Sequence, residues 1–258
     1  MNNKFIKKQL LCFVAFLLFT SASVFSQKGV KDHVITITPT SLLGTKLNLG
    51  YEYTLNSKMG LKLGYGLVVV NETDGLVEEL NDGFGSSTNN LTTNPKFKGF
   101  DITPELRFYT GGNAAENFYI GPFLRYYKYK IDDIAYDFED GDNIQREGIA
   151  TTSLSAIGGG FILGGQWISD AGFTFGVNLG LGGGLGKIKA EVSDISGIES
   201  GQGYKDLEQD FRDSINEDLD GFPIDKLGIY STNNSVGIET DRFLVPIFRF
   251  GLALGWAF

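Results

Sequence analysis

The chain has 258 residues, 42% of them hydrophobic and 21% charged, with 35 glycines, one cysteine, one histidine and a formal net charge of −9. That length suits one large domain or two small ones. The apolar content excludes disorder, and the glycines lack the three-residue period of collagen. A single cysteine excludes a disulfide scaffold or a cysteine-built zinc site. A single histidine makes histidine-based catalysis a poor expectation. The acidic balance argues against nucleic acid, whose phosphates need a basic footprint. A mean hydropathy of −0.04 excludes a helical membrane bundle. It leaves open a membrane β-barrel, in which apolar and polar residues alternate and average out.

The chain opens on Lys4, Lys7 and Lys8, then an apolar run from Leu10 to Phe19, then the small residues Ser21 to Ser26. A basic start, a short apolar middle and small residues at a cut point predict a cleaved signal peptide over 1–26. The run is too short for the roughly 20 residues a spanning helix needs. Cys12 lies at the start of the run, not at the cut, so lipidation is not expected. Cleavage removes three lysines and no acid, taking the charge from −9 to −12, and removes the only cysteine. A cysteine-free exported chain suits an oxidising envelope compartment.

Period-two alternation then recurs along residues 27–258. Ile35 and Ile37 face one way in 33–38, a run that Pro39 ends. Leu47, Leu49, Tyr51, Tyr53 and Leu55 alternate with Asn48, Gly50, Glu52 and Thr54. Leu61, Leu63, Tyr65 and Leu67 alternate with Lys62, Gly64 and Gly66. The pattern returns with Phe100 to Phe108 and with Phe118 to Tyr126, then in a glycine-rich pair around Phe161 and Leu181. It is clearest at the end, where Phe248, Phe250, Leu252, Leu254, Trp256 and Phe258 oppose Arg249, Gly251, Ala253, Gly255 and Ala257. A face of glycine and alanine makes a poor solvent face. A lipid-facing exterior with a crowded interior explains the pattern better than a soluble sandwich does.

Eight strands are predicted, at 33–38, 43–55, 59–70, 98–109, 118–130, 150–168, 172–189 and 243–258. Most exceed the 9–11 residues that a tilted spanning strand needs. Short turns are expected at 56–58, 110–117 and 169–171, and long outer loops at about 71–97, 131–149 and 190–242. Short turns at one end and long loops at the other mark an outer-membrane barrel. Residues 39–42 would be an unusually tight outer turn. The fold class expected is all-β: an eight-stranded antiparallel transmembrane up-and-down barrel, closed because lipid cannot satisfy a free sheet edge. An even strand count puts both termini at the same, periplasmic end.

With these strands the chain resembles the small eight-stranded outer-membrane barrels of Gram-negative bacteria. The terminal Phe258 and the alternating apolar residues Phe248, Phe250, Leu252, Leu254 and Trp256 resemble the C-terminal assembly signal of such barrels. The early segment Ser41-Leu42-Leu43-Gly44 followed by Leu49-Gly50-Tyr51-Glu52-Tyr53 is similar to that of a barrel family of unknown function, an outer membrane protein β-barrel domain. The resemblance spans about 30–190 and 243–258; the 190–242 insertion is longer than it implies. It implies outer-membrane localisation, contact with membrane lipid and lipopolysaccharide, and passage through the barrel-assembly machinery. It supplies no catalytic residues.

The inward positions predicted from the alternation carry both signs of charge: Lys46, Glu52, Lys62, Asp101, Glu105, Arg107, Arg125 and Arg249. Glu52 and Lys62 are symmetric about Ser57 and should oppose each other across a hairpin. The expected outcome is an internal ion-pair network filling a narrow barrel, with Tyr109, Tyr119, Phe123 and Tyr127 occupying the space beside the glycines. The other reading is a narrow gated pore for small polar solutes. Asp137, Glu139, Asp140 and Asp142 are dense enough to invite Ca²⁺, but their spacing is not that of an EF-hand, so a solvated acidic loop is expected and no metal. Divalent bridging from that loop to lipopolysaccharide is a further alternative. Tyr204, Leu207, Phe211, Ile215 and Leu219 step by three or four, predicting a short amphipathic helix in the last long loop, stopped by Gly221 and Pro223. His33 sits at the end predicted to be periplasmic, which argues against an enzyme, and no cofactor is expected. The function expected is a structural or surface-interaction barrel acting through acidic outer loops.

Overall fold

The computed structural model describes residues 31–69, 96–111, 115–139, 145–197, 203–205, 208–209 and 227–258. They form one antiparallel sheet of ten strands: β1 (His33–Thr38), β2 (Lys46–Asn56), β3 (Met59–Val68), β4 (Lys96–Tyr109), β5 (Asn117–Glu139), β6 (Gln145–Ile168), β7 (Phe173–Ser193), β8 (Leu227–Ser231), β9 (Ser235–Thr240) and β10 (Phe243–Ala257). Strands β1 to β7 pair in chain order. β10 then pairs with β1 on one side and β7 on the other, closing a ring of eight. The chain ends of the ring meet directly, with His33 N donating to Phe258 O at 3.1 Å and Phe258 N to His33 O at 2.9 Å.

Alternation decides which side chain goes where, because successive residues of a strand point to opposite faces. Leu49, Tyr51, Tyr53, Leu61, Leu63 and Tyr65 point outward and stay exposed, as do Phe161, Leu181, Phe248 and Phe250 on the far wall. Phe161 pairs with Leu181, and Leu181 with Phe248, so these three lie side by side across β6, β7 and β10. Leu254 and Trp256 are half-buried on the same outer face. No second sheet covers that face among the described residues. Toward the end holding the chain termini, aromatic rings gather on the outside: Phe118 contacts Trp167, Trp167 stacks on Phe175, and His33 stacks on Phe258.

Inside the ring, Val34, Tyr109, Tyr119, Phe123, Ile162 and Ile247 form the apolar cluster. The glycine wall of β6 and β7 is not a hole. A Cβ at Gly164 would lie 2.6 Å from the Tyr119 hydroxyl, and one at Gly180 would lie 3.4 Å from the Phe123 ring. Aromatics from β5 occupy what the glycines leave open.

The tight connection after β1 is a 3₁₀ turn, Pro39–Gly44, closed by Thr45 in the left-handed region at φ 61°. Ser41 holds it: its hydroxyl lies 2.6 Å from Thr38 O and 2.9 Å from Lys46 O, and accepts from Asn48 N at 3.2 Å. This gives the serine of the early Ser-Leu-Leu-Gly segment a local task.

Two expected loops need correction. The 131–149 loop is mostly strand, since β5 runs to Glu139 and β6 starts at Gln145, leaving only 140–144 between them. The register shifts between Ile131 and Ile134, and Asp133 adopts φ 60°. A bulge there absorbs one residue and lets the ladder continue through Asp132-Asp133, which read as turn chemistry. The 190–242 loop also contains strand. β7 continues to Ser193, and the hairpin β8–β9 pairs with its last five residues, directly beyond the stretch that β10 occupies. Of the expected amphipathic helix, 203–205 and 208–209 are helical, and Tyr204 packs with Ile195 and Val236. Leu207, Phe211, Ile215 and Leu219 lie outside the described residues, as do 1–30, 70–95, Asp140 and Asp142.

Candidate functional site: the charged interior

All eight charged residues expected inside are there. Glu52 faces Lys62 across β2–β3, and Lys62 faces Glu105 across β3–β4. Arg107 is 1% exposed, as are Glu52 and Gln166. The Arg107 Nε and Nη2 donate to Glu105 Oε2 at 2.9 and 2.7 Å. Its Nη1 donates to Glu52 Oε2 at 3.0 Å and to Gln166 Oε1 at 3.3 Å. The guanidinium lies 4.2 Å from the Tyr119 ring centroid. Tyr109 donates its hydroxyl proton to the other Glu52 oxygen, and Gln166 Nε2 donates to Ala115 O at 2.8 Å. Side chains from β2, β4, β5 and β6 thus meet in one layer across the ring, near the end that holds the termini.

Beyond that layer Glu105 is bound a second time, by Arg249 Nη2 from β10 at 2.7 Å. Further on, Asp101 collects Arg125 at 3.0 Å, Lys46 at 3.4 Å and the Tyr129 hydroxyl at 3.0 Å. The arrangement is a stack of ion pairs that ties non-adjacent strands together. Charge burial on this scale persists only with partners and hydrogen bonds. Both Glu105 oxygens and both Glu52 oxygens are held by donors, which leaves neither carboxylate idle.

Above the Arg107 layer lies a cavity of about 220 Å³. Its wall includes Thr36, Thr38, Asn48, Lys62, Thr103, Arg125 and Arg249. The alternation predicted that the charges face inward. It did not single out Gln166, Tyr129 or the threonine hydroxyls as members of the site. Their inward parity was legible, but their pairing needs the tilt of the ring, which no single strand encodes.

The remaining expectations fall elsewhere. The C-terminal residues Phe248, Phe250, Leu252 and Phe258 lie on the exposed outer face of β10 and its end. Asp137 and Glu139 belong to the far end of β5, opposite Glu147 and Gln145, and their side chains lie outside the described residues. No group of three His, Cys, Asp or Glu able to hold a metal occurs among the described residues. His33 Nδ1 lies 2.7 Å from the Tyr51 hydroxyl on the outer face. A family model described as "Protein of unknown function (DUF3575)" matches residues 11–190, from before β1 into β7. No curated protein and no solved structure matches the chain.

Proposed function

The chain belongs to the DUF3575 family, and from that premise and the two unlike faces of its ring we propose an integral outer-membrane β-barrel with a plugged, charged interior. One observation carries the reading: large apolar side chains encircle the outside, with Phe161 68% and Phe248 66% exposed, while Arg107, Glu52 and Glu105 are buried inside. A water-soluble protein does the reverse, and rarely leaves a broad contiguous apolar surface in water. Lipid tails are the solvent that accepts such a face, and closure of the ring satisfies every strand edge within them. The aromatic rings near the chain ends fit a girdle at the membrane interface.

In this reading residues 1–26 are a signal peptide removed on export. The strand ends that carry the termini face the periplasm, and the extended β5–β6 and β8–β9 hairpins face outward. The barrel is a scaffold for its outer loops, which contact envelope components or an extracellular partner, and its ion-pair stack holds the wall rigid. An eight-stranded barrel is only wide enough for its own side chains, and the Arg107 layer fills it. The cavity above that layer supports a second reading, a narrow gated channel for small polar solutes.

Fractionation with heat-dependent gel mobility tests the first statement. The chain is expected in the detergent-extracted outer membrane, migrating faster unheated than boiled. Recovery from the periplasm without detergent contradicts it. Planar-bilayer recording separates the two readings: the plugged scaffold is silent, whereas steady conductance altered by substituting Glu52 or Arg107 favours the channel.

A further inference from the structure

The inside of the ring carries the opposite sign to the chain. Among the described residues its inward charges are Lys46, Lys62, Arg107, Arg125 and Arg249 against Glu52, Asp101 and Glu105, two more cations than anions, in a chain of net charge −9. The surplus is localised. Glu105 is shared by Arg107 and Arg249, and Asp101 by Arg125 and Lys46. Lys62 is 7% exposed, lines the cavity, and has no hydrogen bond or ion pair among the described residues. Two further donors in the cavity-lining side chains are buried without an acceptor, Arg125 Nε and Arg249 Nη1. The hydroxyls of Thr36 and Thr103 share the same wall and are buried. Gly50 makes room for the ammonium: a Cβ there would lie 2.6 Å from Lys62 Cε and 3.1 Å from its Nζ.

A buried ammonium with no direct acceptor is costly even with Glu52 and Glu105 on the neighbouring strands, and so is a guanidinium N–H with no acceptor. Both costs vanish if an acceptor-rich anion sits among them. Forked guanidinium donors suit a tetrahedral oxyanion better than a halide, because several oxygens accept at once. At about 220 Å³ the space is below that of sites for drug-sized ligands. We propose that the cavity above the Arg107 layer is a binding site for a small oxyanion of the phosphate class, seated on Lys62, Arg125 and Arg249. The site stands on the interior of the ring alone and goes beyond the membrane reading, so either can fail without the other.

The test is calorimetric titration of inorganic phosphate into the full-length chain purified in detergent, at constant ionic strength set with chloride. Saturable one-site binding is expected, with sulfate competing. Lys62→Met should weaken it at least about tenfold, the scale of one charge-assisted hydrogen bond, while Lys58→Met in the exposed turn leaves it unchanged. Thr103→Val removes a lining hydroxyl at nearly constant shape and should weaken binding too, which keeps the test open if Lys62→Met fails to fold. Absence of saturable binding by the wild-type chain overturns the proposal. Equal affinity for chloride, or unchanged phosphate affinity in a folded Lys62→Met or Thr103→Val, also overturns it.

Discussion

Arg107 satisfies acceptors on three other residues with one planar side chain, and its face lies against the Tyr119 ring. Lysine has no such fork, which is why the identity of this residue matters as well as its charge. Removing it leaves Glu52 and Glu105 facing each other's charge in a buried layer. Breaking a buried pair by deleting one partner costs on the order of 3–5 kcal/mol. Arg107→Met is therefore expected to lower the denaturant midpoint of the folded chain strongly. Arg107→Met combined with Glu52→Gln should recover part of the loss, because one stranded charge is gone. A single variant as stable as wild type would show that the layer is dispensable. Glu191 at the far end of β7 is a milder case. Ser235 donates to its Oε1 at 2.6 Å and Lys189 lies 3.1 Å from its Oε2. The Ser235 hydroxyl, with Lys189, holds its carboxyl below the ordinary carboxylate value. A lowered folded value means the stabilisation is present above the unfolded value and is lost as pH falls through the folded one. The protection factors of the Val192 and Val236 amides, paired across β7–β9, that is, exchange corrected for its intrinsic dependence on pH, should fall on acidification through that range. Protection that stays flat on acidification would contradict the assignment.

At the level of strands, the outer face of β6, β7 and β10 has a distinct energetic expectation. Leu181 sits between Phe161 and Phe248. Within lipid, Leu181→Arg should destabilise the folded chain by about 2–4 kcal/mol, the cost of arginine near a bilayer midplane. On a water-facing sheet the same change would be close to neutral; equal stability of the two proteins in lipid is the contrary result. How far these strands were legible followed from the length of each alternation. The closing strand, with six large apolar residues at even positions, ends within one residue of the prediction. The strands β1 and β3 are equally plain. The extension of β5 past 130 was hidden because Asp132-Asp133 looks like a turn, whereas a bulge and two lysine partners, Lys98 and Lys130, hold Asp132 on the sheet. The β8–β9 hairpin is also absent from the predicted elements. Its signal is present in Ile229 and Tyr230, then Val236 and Ile238, about the turn residues Asn233-Asn234. Five- and six-residue runs carry too few repeats to stand out within a long polar insertion.

For the whole molecule, the decisive property is the inversion between inside and outside. The inward charges were readable because parity along a strand is strict; their partners depend on the stagger of the closed ring, which brings Arg249 of the last strand onto Glu105 of the fourth. Function was less legible, since most of the interior charges are taken up in ion pairs with one another and the residues of the longest loops carry no motif with a chemistry of its own. On the proposed reading the apolar exterior faces acyl chains. The only cysteine, Cys12, lies in the predicted signal peptide, so a cysteine placed at Phe161 gives a single labelling site in the exported chain. A nitroxide there, read in native outer-membrane vesicles by collision with oxygen and with a water-soluble nickel complex, reports its solvent directly. High oxygen and low nickel accessibility are expected at 161, and the reverse at Lys128 beyond the apolar band. Nickel accessibility at 161 equal to that at 128, or a labelled chain found free in the periplasm, would contradict it.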